Sequence, residues 1–182
     1  ALAFAAEGAR VAIAARRAAE SEAVVKQITG QGGEAIFVQT DITDPAQVER
    51  LVKTTVDKWG RLDCALNNAG VIGTPFIPTP DYKKETWDQV INVNLTGVFL
   101  SLKYEIPAML ASGGGAIVNM SSIAGQVGGW GGIAYYASKH GVIGLTEAAA
   151  LEYADKNIRI NSIGPGYILT PLLTKTLDKP AM

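Results

Sequence analysis

Cysteine and histidine are nearly absent from this sequence, with one of each, Cys64 and His140, among 182 residues. A lone cysteine cannot close an intrachain disulfide, which suits a reducing compartment, so the cytoplasm is the expected location. Cys64 lies in the apolar run 62–66 and reads as a small buried hydrophobe. No metal site is expected. Charge is scarce as well: 16 Lys and Arg against 17 Asp and Glu leave a net charge of −1. The basic residues are scattered, so no positive field exists to hold nucleic acid or an anionic membrane, and neither partner is expected. No apolar run approaches the ~20 residues that a membrane-spanning helix needs, and the residues from Ala1 do not read as a basic-then-apolar leader. What remains is a globular composition, 48% hydrophobic and 18% charged, of a length that suits one domain and is short for two.

Two periodicities alternate along the chain, the pattern of a parallel sheet wrapped by crossover helices. Residues 1–7 read as the end of a helix closed by Gly8, and 10–15 as a strand. A helix follows to about Gln31, Gly32-Gly33 turns the chain, and 35–40 is the next strand. Asp44-Pro45-Ala46-Gln47 opens a helix with a capping carboxylate, a proline that loses nothing in the first turn, and a Gln placed to reach back to the cap's amide. That helix runs to Trp59 and stops at Gly60. Strand 62–67 leads to a loop over 71–84. Helix resumes near Glu85 and reaches about Ala111, with a break expected around 92–94. After Gly113-Gly114-Gly115 come strand 116–120, a Gly-rich loop, a helix over 134–155 and strand 159–163.

Strands as apolar as Ala116-Ile117-Val118 imply burial on both faces. Right-handed crossovers put every strand's carboxyl end on one edge of the sheet, and ligands of open α/β sheets bind outside that edge. The segments just after the strands are therefore the ones to watch: 15–17, Asp41, Asn67 to Gly70, Ser121-Ser122 and Pro165-Gly166.

Tyr135 and Lys139 stand four apart at the start of a helix, so hydroxyl and ammonium share a face. A cation beside a phenol in a partly dry crevice favours the phenolate, which suits the phenol to proton transfer at a carbonyl or alkoxide. The pair by itself is weak, since a surface helix pair has the same spacing. Its company raises it: Asn67-Asn68-Ala69-Gly70 after one strand, Asn94 in a helix, Ser122 after the next strand, and Pro165-Gly166 after the last.

In these motifs, in this order and spacing, the chain resembles the short-chain dehydrogenase/reductase family over essentially its whole length. Asn67 to Gly70 match the family's N-N-A-G, and Asn94 its helical asparagine. Ser122, thirteen residues before the tyrosine, matches its serine. Tyr135 and Lys139 match its Y-x-x-x-K, and Pro165-Gly166 its P-G. The resemblance implies a nicotinamide-dependent oxidoreductase acting on a small alcohol or ketone. Tyr135 would be the acid/base, and Lys139 would assist it and hold the nicotinamide ribose. Ser122 would bind the reacting oxygen, and Asn94 would hold a relay water. Tyr136 lacks a lysine four residues on, and the spacing favours Ser122 over Ser121. His140 turns away by about a hundred degrees on the helix and reads as structural or interfacial.

The resemblance places Asn68, Ala69, Gly70, Pro165, Gly166 and Thr170 against the cofactor, with Asp41 beside the adenine or, alternatively, capping its own turn. An acidic residue at the end of the second strand of such folds favours NAD, and a basic one accommodates the 2′-phosphate of NADP. Here the strand ends in Arg16-Arg17, with solvation as the alternative role for either. NADP(H) is accordingly expected over NAD(H). Gln126, Val127, Trp130 and Tyr167, with Ser122, would line the substrate pocket.

The implied fold is a Rossmann-type, doubly wound, three-layer α/β/α domain over 1–182. It would lack the family's first strand with its T-G-x-x-x-G-x-G turn, and its C-terminal strand. The missing strand belongs between strands 10–15 and 62–67, so a chain without it is expected to be poorly stable and inactive alone. A full-length protein is expected to form a homo-dimer or tetramer through the helices at 94–111 and 134–155. Two other functions fit the same sequence: a non-catalytic scaffold that keeps the fold, and an epimerase or dehydratase using the same Tyr/Lys pair.

Overall fold

A computed structural model of the chain describes residues 1–129, 131–171 and 174. The helices are α1 (Leu2–Ala6), α2 (Ala18–Gly30), α3 (Pro45–Trp59), α4 (Lys84–Ile91), α5 (Gly97–Ala111) and α6 (Ile133–Glu152). The strands are β1 (Val11–Ala15), β2 (Ala35–Gln39), β3 (Cys64–Asn67), β4 (Gly115–Met120) and β5 (Ile158–Ile163). All pairings are parallel, and the helices supply the crossovers, giving a Rossmann-type α/β fold.

The local signals explain most boundaries. Asp44 caps α3 by accepting from the amides of Ala46 (2.9 Å) and Gln47 (3.3 Å), and Pro45 starts the helix. Such a cap contributes about 1 kcal/mol. The Gln47 side chain does reach back, but its Oε1 accepts from the amide of Asp41 (2.9 Å), three residues before the expected Asp44 amide, and its Nε2 donates to the Asp44 carboxylate (2.7 Å). Gly60 takes φ 79° and ends α3. The expected break near Asn92 is a π-helical turn over Asn92–Thr96, joining α4 to α5. Helix α6 stops at Glu152, three residues short of expectation. A 3-10 turn follows, and Asn157 is left-handed (φ 57°) with its amide donating to the Gly113 carbonyl at 2.9 Å.

Among the described residues β1 pairs only with β2, and β3 only with β4, so the order is β1-β2 and, separately, β3-β4-β5. The open edge of β3 corrects one expectation. Cys64 is exposed rather than buried, because nothing pairs on that side of its strand, and Leu66 is 49% exposed on the same strand. No described helix is long and apolar enough to cross a membrane.

The core lies where α5 and α6 cover β4 and β5. Met109, Ile117 and Val142 have no exposed surface, and Ile106, Ile158 and Ile160 pack with them. One polar group breaks this layer. Glu105, in α5, is buried, and desolvation pushes its carboxyl up to about 7, with the Asn67 amide pulling it part of the way back.

The sign of the resulting stability change is fixed. Below about 4.5 the group is protonated in both states. Between 4.5 and 7 the unfolded chain sheds the proton while the folded one keeps it, so stability falls as pH rises, by about 3 kcal/mol, and then levels off. Glu105→Gln should remove this slope, so that chemical denaturation at pH 5 and pH 8 gives a smaller difference than in the parent. An unchanged difference would show that Glu105 is not protonated in the fold.

Candidate active site

Gly132 precedes α6 with φ 91°, and a Cβ there would lie 2.8 Å from the Thr74 carbonyl, so glycine is needed to launch the helix against the 71–78 loop. Tyr135 and Lys139 then project from the first turns. The Lys139 ammonium lies 5.7 Å from the centroid of the Tyr135 ring. Lys139 is only 4% exposed, and its Nζ donates to the carbonyl of Met120, the last residue of β4, at 2.7 Å. Burial pushes its pKa down to about 8.

Asn94 lies in the π-helical turn and is fully buried. Its Oδ1 accepts from the Val71 amide (2.8 Å), and its Nδ2 donates to the Val71 carbonyl (2.8 Å) and to Ser138 Oγ (3.1 Å). Ser138 in turn donates to the Tyr135 carbonyl at 2.8 Å. The Asn94 side chain thus mimics a strand peptide, holding the backbone after Gly70 against α6. A Cβ on Gly70 would lie 3.4 Å from Asn94 Oδ1 and 3.6 Å from Lys139 Nζ. The asparagine-rich strand end and the Tyr/Lys pair therefore share one crevice.

The two serines after β4 separate cleanly. Ser121 is buried, and its hydroxyl donates to the Lys139 carbonyl at 3.0 Å. Ser122 is half-buried and accepts from the Ala124 amide at 3.1 Å, which leaves its own hydrogen for another partner. Gly125 lets this loop seat on α6, since a Cβ there would meet the Lys139 carbonyl at 2.7 Å. Pro165 joins the same edge, its carbonyl accepting from the Ile123 amide at 2.9 Å. Tyr136 is half-buried with its ring against Gly131, and His140 is exposed with Nδ1 3.0 Å from the Tyr136 carbonyl.

At the other sheet's carboxyl edge Asp41 takes up its turn-capping role, Oδ1 accepting from the Thr43 amide (3.0 Å) and hydroxyl (2.8 Å). Those bonds, with a smaller pull from the Arg16 guanidinium, hold its carboxyl below the ordinary value. Arg17 pairs with Glu20 at 3.1 Å on the exposed start of α2. Arg16 is exposed, with its carbonyl held by the Gln39 amide at 3.0 Å.

Asn68, Ala69, Gly70, Gly166 and Thr170 are exposed, as are Gln126, Val127 and Tyr167. Thr170 has no bond to the crevice among the described residues; its carbonyl accepts from the Thr174 amide at 3.0 Å. Trp130 lies outside the described residues.

Three parts of the arrangement were not anticipated from sequence: the Met120 carbonyl as the acceptor for Lys139, Ser138 as the link from Asn94 to Tyr135, and the Asn67–Glu105 contact at 3.1 Å.

A nicotinamide dinucleotide fits these residues on one structural ground. The Lys139 ammonium has three donors and, among the described residues, one acceptor, so a buried cation faces the crevice with hydrogens to spare. Vicinal hydroxyls of a ribose are suitable acceptors, and the exposed Asn68–Gly70 backbone offers a flat edge beside them.

The family model described as short chain dehydrogenase matches residues 1–181. Cyclohexanol dehydrogenase of Acinetobacter sp. (strain SE19) is 46% identical over 175 residues, covering 96% of this chain and 69% of the relative. A 3-oxoacyl-[acyl-carrier-protein] reductase of Synechocystis sp. (strain ATCC 27184 / PCC 6803 / Kazusa) is 39% identical over 183 residues, covering all of this chain and 73% of the relative. The crystal structure of an actinorhodin polyketide ketoreductase with NADPH superposes with a TM-score of 0.88 at 36% identity, over 94% of this chain and 66% of that one.

The depressed Lys139 predicts a stability signature. Folding disfavours the charged form, so the parent gains stability as pH rises from about 8 to about 10.5, where the unfolded chain still binds the proton and the folded one does not. Lys139→Met, which buries no charge, should melt no lower than the parent at pH 7, and its relative advantage should shrink across that window. Calorimetry between pH 7 and 10 checks this; a variant melting well below the parent at pH 7 would contradict it.

Proposed function

The chain belongs to the short-chain dehydrogenase/reductase family of oxidoreductases, and from that premise we propose that it interconverts a small alcohol and ketone, with Tyr135 as general acid/base and NADP(H) preferred over NAD(H). The observation that carries the reading is the buried Lys139 ammonium, set beside the Tyr135 ring and facing the Gly70 strand end with unused donors. A bound nicotinamide cofactor supplies the hydride in reduction and accepts it in oxidation.

In reduction, the Tyr135 hydroxyl gives its proton to the carbonyl oxygen as that oxygen gains charge, and in oxidation the phenolate takes it back. Ser122, with its hydrogen uncommitted among the described residues, donates to the same oxygen and stabilises the developing charge. Lys139 steadies the phenolate by its charge and holds the ribose hydroxyls with its spare hydrogens. Asn94 keeps the 68–71 backbone at that distance; its side-chain amide is committed to Val71 and Ser138, so a relay water would be held by the backbone of the π-helical turn. Gln126 and Tyr167 face the substrate from the neighbouring loops. Asn68 to Gly70, Pro165, Gly166 and Thr170 contact the cofactor, and Asp41 flanks its adenine.

Arg16 is the residue we assign to the 2′-phosphate, because Arg17 is already paired with Glu20. The oxoacyl reductase relative and the NADPH-bound ketoreductase support this preference. We further take the protein to be a homo-oligomer, since Phe99 on α5 (52% exposed) and Leu151 on α6 (81%) leave apolar surface on the helices available for pairing.

Two experiments test the assignment. In the full-length protein, with NADPH and a panel of cyclic and open-chain ketones, Tyr135→Phe should lower kcat by about 10³-fold while Tyr136→Phe keeps most of the activity. Equal activity in the two variants would remove Tyr135 from the mechanism. Arg16→Asp should raise KM for NADPH by roughly tenfold with little change for NADH; a uniform loss for both cofactors would place the phosphate elsewhere.

A further inference from the structure

We infer that Glu105 is a positioning residue for the reacting groups, acting through Asn67 to fix the ends of β3 and β4; this rests on the oxidoreductase reading above. Glu105 is 8% exposed and makes no ion pair among the described residues, in a helix face otherwise occupied by Leu102, Ile106 and Met109. Its Oε2 accepts from Asn67 Nδ2 at 3.1 Å, and the same nitrogen donates to Asn119 Oδ1 at 3.0 Å. Asn119 Nδ2 donates to Thr146 Oγ1 at 3.0 Å, and Thr146 donates to the Val142 carbonyl at 2.6 Å. Asn67 and Asn119 are register partners in the β3–β4 pairing. One continuous line of hydrogen bonds therefore crosses α5, β3, β4 and α6.

Each of these four elements runs straight into the crevice. The helix α5 continues from the π-helical turn that holds Asn94, and β3 leads into Asn68–Gly70. Strand β4 ends at Met120, whose carbonyl fixes the Lys139 ammonium, and α6 carries both Tyr135 and Lys139. The two hydrogens of Asn67 Nδ2 are shared between one acceptor on α5 and one on β4. Without the carboxyl, that amide is held from β4 alone and can turn about its side-chain bonds. An apolar residue would fill the same place without the cost of desolvating a carboxyl. The retained acceptor thus has its use in the position of the strand ends, where displacements of about 1 Å at the reacting groups cost up to ~10²-fold in rate.

The test compares Glu105→Gln, whose amide oxygen can accept the same bond, with Glu105→Leu, which cannot. Thr146→Val, cutting the far end of the line, serves if the leucine variant does not fold. Expected are a kcat within about twofold of the parent for E105Q and a kcat lowered about tenfold for E105L, with substrate and cofactor KM unchanged. Hydrogen–deuterium exchange at residues 67–71 and 119–122 should quicken in E105L and not in E105Q. Parent-like kcat in E105L, or equal impairment of E105Q and E105L, overturns the inference. If the full-length parent itself transfers no hydride, the functional reading has failed instead. Exchange then decides alone, and rates in E105L equal to the parent's at both strand ends overturn the positioning role.

Discussion

The bond from the Lys139 ammonium to the Met120 carbonyl, 2.7 Å long in a nearly water-free setting, is the constraint around which the rest of the site is arranged. A cation buried with a single described acceptor is held there at a cost in solvation. That cost is tolerable because the first turns of α6 are fixed independently. Ser121 grips the Lys139 carbonyl, Ser138 grips the Tyr135 carbonyl, and Ala134 and Val142 are sealed into the core. The helix therefore delivers its lysine to the strand end whether or not the ammonium is content there. On the proposed reading, a ligand with hydroxyl oxygens would supply the missing partners, and the local stability given up in the fold would reappear as affinity.

The π-helical turn at Asn92–Thr96 does the complementary work from the other side. An uninterrupted helix from Lys84 to Ala111 would place residue 94 in a regular i, i+4 row. The wider turn instead admits Asn94 to the interior, where its amide exchanges two bonds with Val71 and a third with Ser138. A fully buried asparagine is stable only when satisfied in this way. Because the three partners lie on the 68–71 segment and on α6, the condition that satisfies Asn94 also sets the gap between Gly70 and Lys139. The site's geometry is thus a by-product of polar groups finding partners, with little freedom left to vary it.

How far the sequence discloses this depends on whether the determining neighbour is near in the chain. Helix ends were legible where the signal is local, as with Asp44-Pro45 and Gly60, and so was the Tyr135/Lys139 pair, because four residues on a helix make one face. The π-helical turn was half legible: Asn92-Val93-Asn94 marks a weak helix, but not which way it yields. Met120 was invisible, since any residue offers a backbone carbonyl and only the crossover from β4 to α6 decides which one meets the ammonium. The partnership of Asn67, Glu105 and Asn119 was hidden for the same reason: the residues are 38 and 52 positions apart and meet only through sheet register. Cys64 misled because an apolar run predicts burial only when both flanks of the strand are occupied, and β3 has one described neighbour.

The separation of the sheet into β1-β2 and β3-β4-β5 also bears on how the two ends of a dinucleotide would be read. A nicotinamide end would face groups on β3, β4 and α6 that are cross-tied by buried hydrogen bonds, so selection there would be by fixed geometry. An adenosine end would face Arg16 and Asp41 on the β1-β2 edge, where the arginine is exposed and selection would be by charge. Asp41 makes no ion pair with Arg16 among the described residues: its Oδ1 is committed to Thr43, which fixes the group to its own turn. A doubly charged 2′-phosphate would then gain from the Arg16 guanidinium what a bare ribose hydroxyl cannot, and that advantage should weaken with added salt. On the proposed reading, reaction and cofactor choice would be carried by different physics, buried hydrogen bonds at one end and exposed charge at the other.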